Sequence, residues 1–296
     1  MDYLKKYEYT PAGKEIVNTI QSIADGVDAF GTPEVYGKCF SFMDLTTLKT
    51  DDTAVSVKKF VEKVNGLADK YPDYPMPASV CVYPNFVSEV CSARKNPDLR
   101  VTAVSACFPS AQSFIEVKIK ECELAVRNGA DEVDIVLPLN LFLAGDCEAA
   151  SAEISAIRAA VDAEGAARGR KITLKVILET GLLPDASDIA AASFLAMESG
   201  ADFIKTSTGK VEVNATPMAA FVMCGCIRRF YEKTGKKVGF KAAGGISSAK
   251  DALNYYCIVS SVLGSGWLNR ELFRFGVSRL ANSLMSAIER KTVKYF

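Results

Sequence analysis

The sequence predicts an α/β protein: a closed (β/α)8 TIM barrel with an N-terminal helical extension. Three observations carry this expectation. From about residue 38, short β-branched or aromatic runs alternate eight times with longer stretches of helical periodicity. Eight such units in about 255 residues match the count and size of a closed barrel. The strand-like runs are nearly continuous in apolar residues, as expected of strands covered on both faces. An open, doubly wound sheet is the competing architecture, but no Gly-x-Gly-x-x-Gly turn follows the first strand to support it.

Taken in order, strands are expected at 39–44, 79–83, 100–106, 132–137, 172–178, 203–206, 238–241 and 272–275. Each is a short run rich in Val, Ile, Phe, Tyr or Cys, the residues that fit a covered pleated surface. Helices are expected near 53–70, 85–94, 113–128, 147–167, 186–199, 216–233, 248–260 and 278–290. The periodicity is clearest in Phe114-x2-Val117-x-Ile119 through Leu124-Ala125, and in Ile154-x2-Ile157-x3-Val161. Residues 1–37 form the extension, with one helix around 11–26, residues 38–290 the barrel, and 291–296 a tail. No low-complexity linker divides the chain.

Composition excludes several chemistries. The 296 residues contain no histidine, so neither a Ser-His nor a Cys-His nucleophile pair can be built, and imidazole metal ligands are absent. Proton transfer must fall to carboxylates, lysines, tyrosines, cysteines or water. Lys+Arg and Asp+Glu are both 35, so bulk charge points neither to nucleic acid nor to an anionic membrane. Lys233, Lys236 and Lys237 read as a solvated helix end. The nine cysteines lack zinc spacing, and their odd number argues against a closed disulfide framework. With no signal-peptide region and no membrane-length apolar run, the expected location is the cytoplasm.

Three lysines lie in strand-like segments. Lys205 ends the run Phe203-Ile204-Lys205, Lys241 sits in Gly239-Phe240-Lys241-Ala242, and Lys175 interrupts Leu174-Lys175-Val176-Ile177. Burying an ammonium is expensive, so these positions call for a reason. Amine attack on a carbonyl supplies one, because a neutral lysine forms a Schiff base. At an ordinary value near 10.4, about 0.04% of a lysine is neutral at pH 7; lowering it to roughly 7 frees about half. Burial and a neighbouring cation both act in that direction. Residues at the carboxyl ends of barrel strands converge on one mouth, which would gather Asp44, Cys81, Asp134, Lys175, Lys205 and Lys241. The residues alone do not say whether Lys205 or Lys241 is the nucleophile. Snorkelling to solvent or pairing with carboxylates is the alternative for each lysine. Asp134 and Lys175 either relay a proton through water or form an ion pair between strands four and five. Asp44 caps a loop or orients substrate hydroxyls, and Cys81 is a pocket wall or a small core residue.

A phosphate site is also legible. Gly244-Gly245-Ile246 follows the seventh strand and Gly276-Val277-Ser278 the eighth, where backbone N–H groups at helix starts favour an anion. Gly209-Lys210 adds a third loop, although Ile204 stands where a Walker loop needs glycine. Tight turning alone is the other explanation for these glycines.

Taken together these stretches resemble the 2-deoxyribose-5-phosphate aldolases, the Schiff-base, DeoC-type family. The resemblance rests on Met43-Asp44-Leu45-Thr46-Thr47-Leu48, Cys81-Val82-Tyr83-Pro84, 129–134, 174–181, 203–210 with Val213-Asn214-Ala215-Thr216-Pro217, 239–245 and Arg274-Phe275-Gly276. They run in order over roughly residues 40–285. It implies that Lys205 forms the Schiff base, that Lys241 depresses its pKa, and that Asp134 and Lys175 relay protons. It places Asp44, Cys81, Thr206, Gly209, Lys210, Gly244, Gly245, Gly276 and Ser278 around the substrate. The implied reaction is reversible cleavage of 2-deoxy-D-ribose 5-phosphate to acetaldehyde and D-glyceraldehyde 3-phosphate, with no metal or other cofactor. The expected partners are the phosphosugar and aldehyde substrates and further copies of the chain, as a dimer or tetramer. Neither nucleic acid nor a membrane is expected.

The chain departs from the family pattern at Ser247, where a basic residue is frequent, at Arg279, where a second serine is common, and at Ser110, where Phe-Pro-x-Gly would end. Arg279 either restores positive charge to the phosphate loops or points away. Tyr295 either swings over the mouth as a proton donor or belongs to a disordered tail. Two other functions fit the same barrel: an aldolase for another phosphosugar, and a non-catalytic or dual-role scaffold.

Overall fold

Helix starts are written into the sequence as side-chain caps. Thr53, Thr216 and Ser248 each accept a hydrogen bond from a first-turn N–H, and Ser56 and Asp251 reciprocate to complete capping boxes. The structure, a computed structural model, describes residues 2–296. Three helices come first: α1 (Tyr3–Tyr7), α2 (Gly13–Gly26) and α3 (Pro33–Ser41). The barrel units follow as β1 (Met43–Thr46), α4 (Ala54–Asn65), α5 (Leu67–Lys70), β2 (Ser79–Val82), α6 (Val87–Ala93), β3 (Arg100–Val104), α7 (Ile115–Arg127) and β4 (Glu132–Val136). Next come α8 (Leu139–Leu143), α9 (Cys147–Ala166), β5 (Thr173–Ile177), α10 (Ala186–Glu198), β6 (Phe203–Lys205) and α11 (Pro217–Thr234). The chain finishes with β7 (Gly239–Ala243), α12 (Ala249–Leu263), β8 (Phe273–Val277) and α13 (Leu280–Glu289).

The eight strands pair in sequence order, all parallel, and β1 closes on β8. Strand alternation then sorts side chains into two environments. Leu45, Val80, Val133, Val176, Ile204, Phe240 and Phe275 face outward into the main apolar core against the helices. Their neighbours face inward, and there the nearly continuous apolar character of the strands gives way to polar and charged side chains. Asp44, Thr102, Glu132, Asp134, Lys175, Lys205, Lys241 and Arg274 are all buried polar or charged residues. The interior of this barrel is an ion network where branched aliphatics usually stack.

The first strand also begins later than 39–44 suggests. Thr32 caps and Pro33 opens α3, which runs to Ser41, so Cys39 and Phe40 are the buried face of a helix. The extension is more than one helix: besides α2 it holds α1, a 3-10 turn at Val27–Phe30 and most of α3. Tyr7 stacks on Phe194 of α10 at 4.2 Å between ring centroids, and Arg229 of α11 donates to the Tyr7 carbonyl at 2.7 Å. These contacts fix the extension to the barrel's outer wall.

Both readings of Tyr295 need correction. Its hydroxyl donates to the Lys63 carbonyl at 2.6 Å, at the end of α4, and its ring meets Tyr71. The Asn282 side chain holds the tail by accepting from the Tyr295 and Phe296 N–H groups. Barrel helices run antiparallel to the strands, so the end of α4 lies on the face opposite the mouth. The tail is docked, away from the site. Among the described residues no helix is long and apolar enough to cross a membrane.

Candidate active site

Asp134 is the hub of the barrel interior. Its Oδ1 accepts from Lys175 Nζ at 2.9 Å, and its Oδ2 accepts from Lys205 Nζ at 2.9 Å and Lys241 Nζ at 2.8 Å. Register explains the meeting: Asp134 lies beside Lys175 across β4 and β5, and Lys205 beside Lys241 across β6 and β7. Asp44 Oδ2 stands 2.5 Å from Lys241 Nζ and 3.4 Å from Lys175 Nζ. The residues do not all sit at strand ends, however. Asp134, Lys175 and Lys241 are each the third residue of a five-residue strand, and only Lys205 ends its own. Most of the network is therefore sealed below the mouth.

Two members of this network carried no role in the sequence reading. Glu132 Oε2 lies 2.5 Å from Lys175 Nζ and accepts from Thr102 at 2.8 Å. Arg274 bridges the floor, donating to Asp44 Oδ1 at 2.5 Å and to Glu132 Oε1 at 2.8 Å. The signal for both was parity. Glu132 is two residues from Asp134, and Arg274 alternates with Phe273 and Phe275. Each therefore shares the inward face.

The three lysines are unequal. Burial lowers Lys205 below the ordinary lysine value; Asp134 opposes this, and the Lys241 ammonium adds to it. Burial also presses on Lys241, but Asp134 and Asp44 outweigh it and raise its pKa. Lys175 is raised likewise, by Asp134, Asp44 and Glu132 against burial. The carboxylates go the other way. Burial favours their protonation, yet Lys175, Lys205 and Lys241 hold Asp134 far below the usual range, and Arg274 with Lys175 brings Glu132 down to about 2. So one amine is lowered beside two that are held as ammonium ions.

Lys205 also reaches the only part of this cluster open to a ligand. It is 3% exposed and lines a cavity of about 290 Å³ at the carboxyl ends of the strands. Gly209, Lys210, Gly244, Gly245, Gly276 and Ser278 are on its wall. Thr206, Asp44 and Cys81 are not. The Thr206 hydroxyl donates to the Ala243 carbonyl at 3.1 Å and accepts from the Ala243 N–H at 3.0 Å, which staples β6 to β7. Asp44 belongs to the network beneath, and Cys81 is a buried thiol whose pKa burial raises. Of the departures, Arg279 does line the cavity, whereas the Ser247 N–H is turned to Asp251 in the cap of α12. Thr47, Leu48 and Lys49 complete the wall, and Lys210 Nζ crosses it to donate to the Leu48 carbonyl at 2.6 Å.

Local backbone chemistry holds this wall in place. Glu179, in a left-handed conformation (φ 53°), accepts from the Thr208 N–H at 3.0 Å and the Thr208 hydroxyl at 2.5 Å. That pins the loop after β6. Gly276 has no room for a side chain, since a Cβ there would stand 2.8 Å from the Ala243 Cβ and 3.1 Å from the Lys241 Cε. Arg279 precedes α13 without a side-chain cap, so first-turn N–H groups of that helix are left for another acceptor.

A closed parallel barrel with a charged interior and a cavity at the carboxyl ends of its strands defines an α/β-barrel enzyme. A family model described as DeoC/LacD family aldolase matches residues 39–256. The chain is 42% identical over 269 residues to the deoxyribose-phosphate aldolase of Homo sapiens, covering 86% of this chain and 79% of that one. It is 41% identical to that of Mus musculus over the same shares. Among solved structures, the tetrameric deoxyribose phosphate aldolase of Aeropyrum pernix superposes with a TM-score of 0.68 at 25% identity, covering 93% of this chain and 98% of that one. The protein belongs to the DeoC/LacD aldolase family.

Proposed function

We propose that the protein cleaves 2-deoxy-D-ribose 5-phosphate reversibly to acetaldehyde and D-glyceraldehyde 3-phosphate, with Lys205 as the Schiff-base nucleophile. The observation that carries the role of Lys205 is its position. Of the three lysines in the barrel interior it alone borders the cavity and alone has a lowered pKa. Its neutral amine adds to the C1 aldehyde, and loss of water gives an iminium. Removal of the C3 hydroxyl proton breaks the C2–C3 bond, whose electron pair flows into the iminium to give an enamine. D-Glyceraldehyde 3-phosphate leaves. Protonation of the enamine at C2 and hydrolysis then release acetaldehyde and restore the amine.

Asp134, Lys175 and Lys241 manage the protons. The Asp134 carboxylate, kept ionised by the lysines around it, accepts the C3 hydroxyl proton through a bound water. Lys175, hydrogen-bonded to Asp134 at 2.9 Å, belongs to the same relay, which returns the proton to C2 of the enamine through water, while Lys241 holds the carboxylate in place. The glycine loops after β6, β7 and β8 receive the phosphate, with Lys210, Lys49 and Arg279 supplying positive charge at the rim. The cytoplasm is the proposed location and a homo-oligomer the proposed assembly.

An aldolase for another phosphosugar and a scaffold are both separated from this reading by one assay. kcat/KM on deoxyribose 5-phosphate should exceed that on ribose 5-phosphate and on unphosphorylated deoxyribose by at least about a hundredfold; comparable values would point to another substrate, and none at all to a scaffold. Arg279→Ser should raise KM for the phosphorylated sugar about three- to tenfold with kcat nearly unchanged, as expected for loss of a rim charge. An unchanged KM would remove Arg279 from the phosphate site.

A further inference from the structure

The sealed interior contains one more cation than anions. Lys175, Lys205, Lys241 and Arg274 face Asp44, Glu132 and Asp134, with every side chain at 0–4% exposure. Below them Arg100 reaches Glu132 at 3.1 Å, but it also pairs with Glu271 at 2.6 Å, and that added pair is neutral. From β2 the Cys81 thiol faces the cluster with a pKa that burial raises, so it stays uncharged. Lys49, Lys210 and Arg279 stand exposed at the rim, where solvent screens them. With all seven interior groups ionised, the barrel therefore holds a net charge of +1, an arrangement that a low-dielectric interior opposes. Releasing one lysine proton removes it.

Contact geometry chooses which lysine. Lys175 meets three carboxylates, at 2.5, 2.9 and 3.4 Å. Lys241 meets two, at 2.5 and 2.8 Å. Lys205 meets only Asp134 Oδ2, which it shares with Lys241. Arg274 takes up much of the remaining acceptor capacity, since it occupies Asp44 Oδ1 and both oxygens of Glu132. An arginine cannot relieve the excess by losing its own proton.

We infer that Arg274 is a positioning residue for the reaction: it touches no part of the substrate cavity, yet its fixed charge makes Lys205 the amine that is left uncharged. The inference rests on Lys205 being the nucleophile. It turns the charge count of the interior into a control on the pH at which the amine becomes reactive. Removing Arg274 leaves three cations against three anions, and Lys205 keeps its proton. Removing the Glu132 charge leaves an excess of two, and Lys205 loses its proton more readily. Removing both restores the original excess of one.

The test compares wild type, Arg274→Gln, Glu132→Gln, the double variant and Arg274→Lys. Two quantities are followed against pH: kcat/KM on deoxyribose 5-phosphate, and the rate of borohydride trapping with acetaldehyde, with the labelled lysine located by mass spectrometry. Arg274→Gln should move the acid-limb midpoint up by about one pH unit, with about a tenfold loss at pH 7. Glu132→Gln should move it down by a similar amount, the double variant should return close to wild type, and Arg274→Lys, whose amine can release the excess proton itself, should move it up by less than Arg274→Gln. An arginine needed only for folding would lower activity in each single variant with the midpoint unmoved, and that result overturns the inference. If Arg274→Gln does not fold, the downward shift in Glu132→Gln and its reversal in the double variant decide the matter. A wild-type label on Lys241 would refute the role of Lys205 itself, whereas a label on Lys205 with an unmoved midpoint refutes only the role of Arg274.

Discussion

Replacing Lys205 by leucine should lower kcat/KM by about four orders of magnitude or more and abolish the borohydride-trapped acetaldehyde adduct. Among the described residues no other amine borders the cavity at its floor, because Lys175 and Lys241 are wholly buried and held as ammonium ions. The loss should come without unfolding. A buried lysine with a lowered pKa binds fewer protons in the folded chain than in the unfolded one between that value and the ordinary 10.5. In that window stability rises with pH, so at pH 7 the wild-type residue is a net burden. Lys205→Leu should therefore melt at the same temperature as wild type or higher at neutral pH, with the gap narrowing as pH approaches 10. Retention of the label in this variant, on Lys241, would reassign the nucleophile.

Most of this site was legible because strand alternation and charge are both written in the sequence. Lys175, Lys205 and Lys241 announce themselves as ammonium groups inside apolar runs, and Asp134 as a carboxylate between Val133 and Ile135. What sequence could not provide was register. The pairing of Asp134 with Lys175 and of Lys205 with Lys241 sets three Nζ atoms on one carboxylate, and register is fixed by barrel closure. Glu132 and Arg274 were passed over for a related reason. Glu132 lies in the expected strand 132–137 and Arg274 in 272–275, but neither can attack a carbonyl, so nothing marks them until register and closure bring them together. The start of β1 was misplaced because Cys39-Phe40-Ser41-Phe42 is apolar at a spacing that suits either period. Thr206 stands off the cavity wall because its hydroxyl satisfies backbone groups of the next strand, a partner that only the fold supplies.

Asp134→Asn separates the nucleophile from proton transfer. The amide keeps the shape but removes the negative charge shared by three lysines. Lys175 retains Asp44 and Glu132, and Lys241 retains Asp44, but Lys205 loses its only carboxylate. Its amine should then be neutral at a still lower pH, so trapping with acetaldehyde persists or quickens. Cleavage of the phosphosugar should nevertheless fall by about 10²–10⁴, because the carboxylate that takes the hydroxyl proton through water is gone. Breaking a buried ion cluster from one side should also lower stability by about 3–5 kcal/mol at pH 7. The sign of its pH dependence follows from the depressed pKa of Asp134: the charge stabilises the fold above the ordinary carboxylate value of 3.8 and loses that effect as pH falls below it. The gap between wild type and variant should thus be full near neutrality and begin to shrink below pH 3.8, as measured by urea unfolding across about pH 2–8. A variant that loses trapping and cleavage together would place Asp134 in Schiff-base formation itself, and a stability gap that does not shrink in acid would show that packing, not charge, holds these strands.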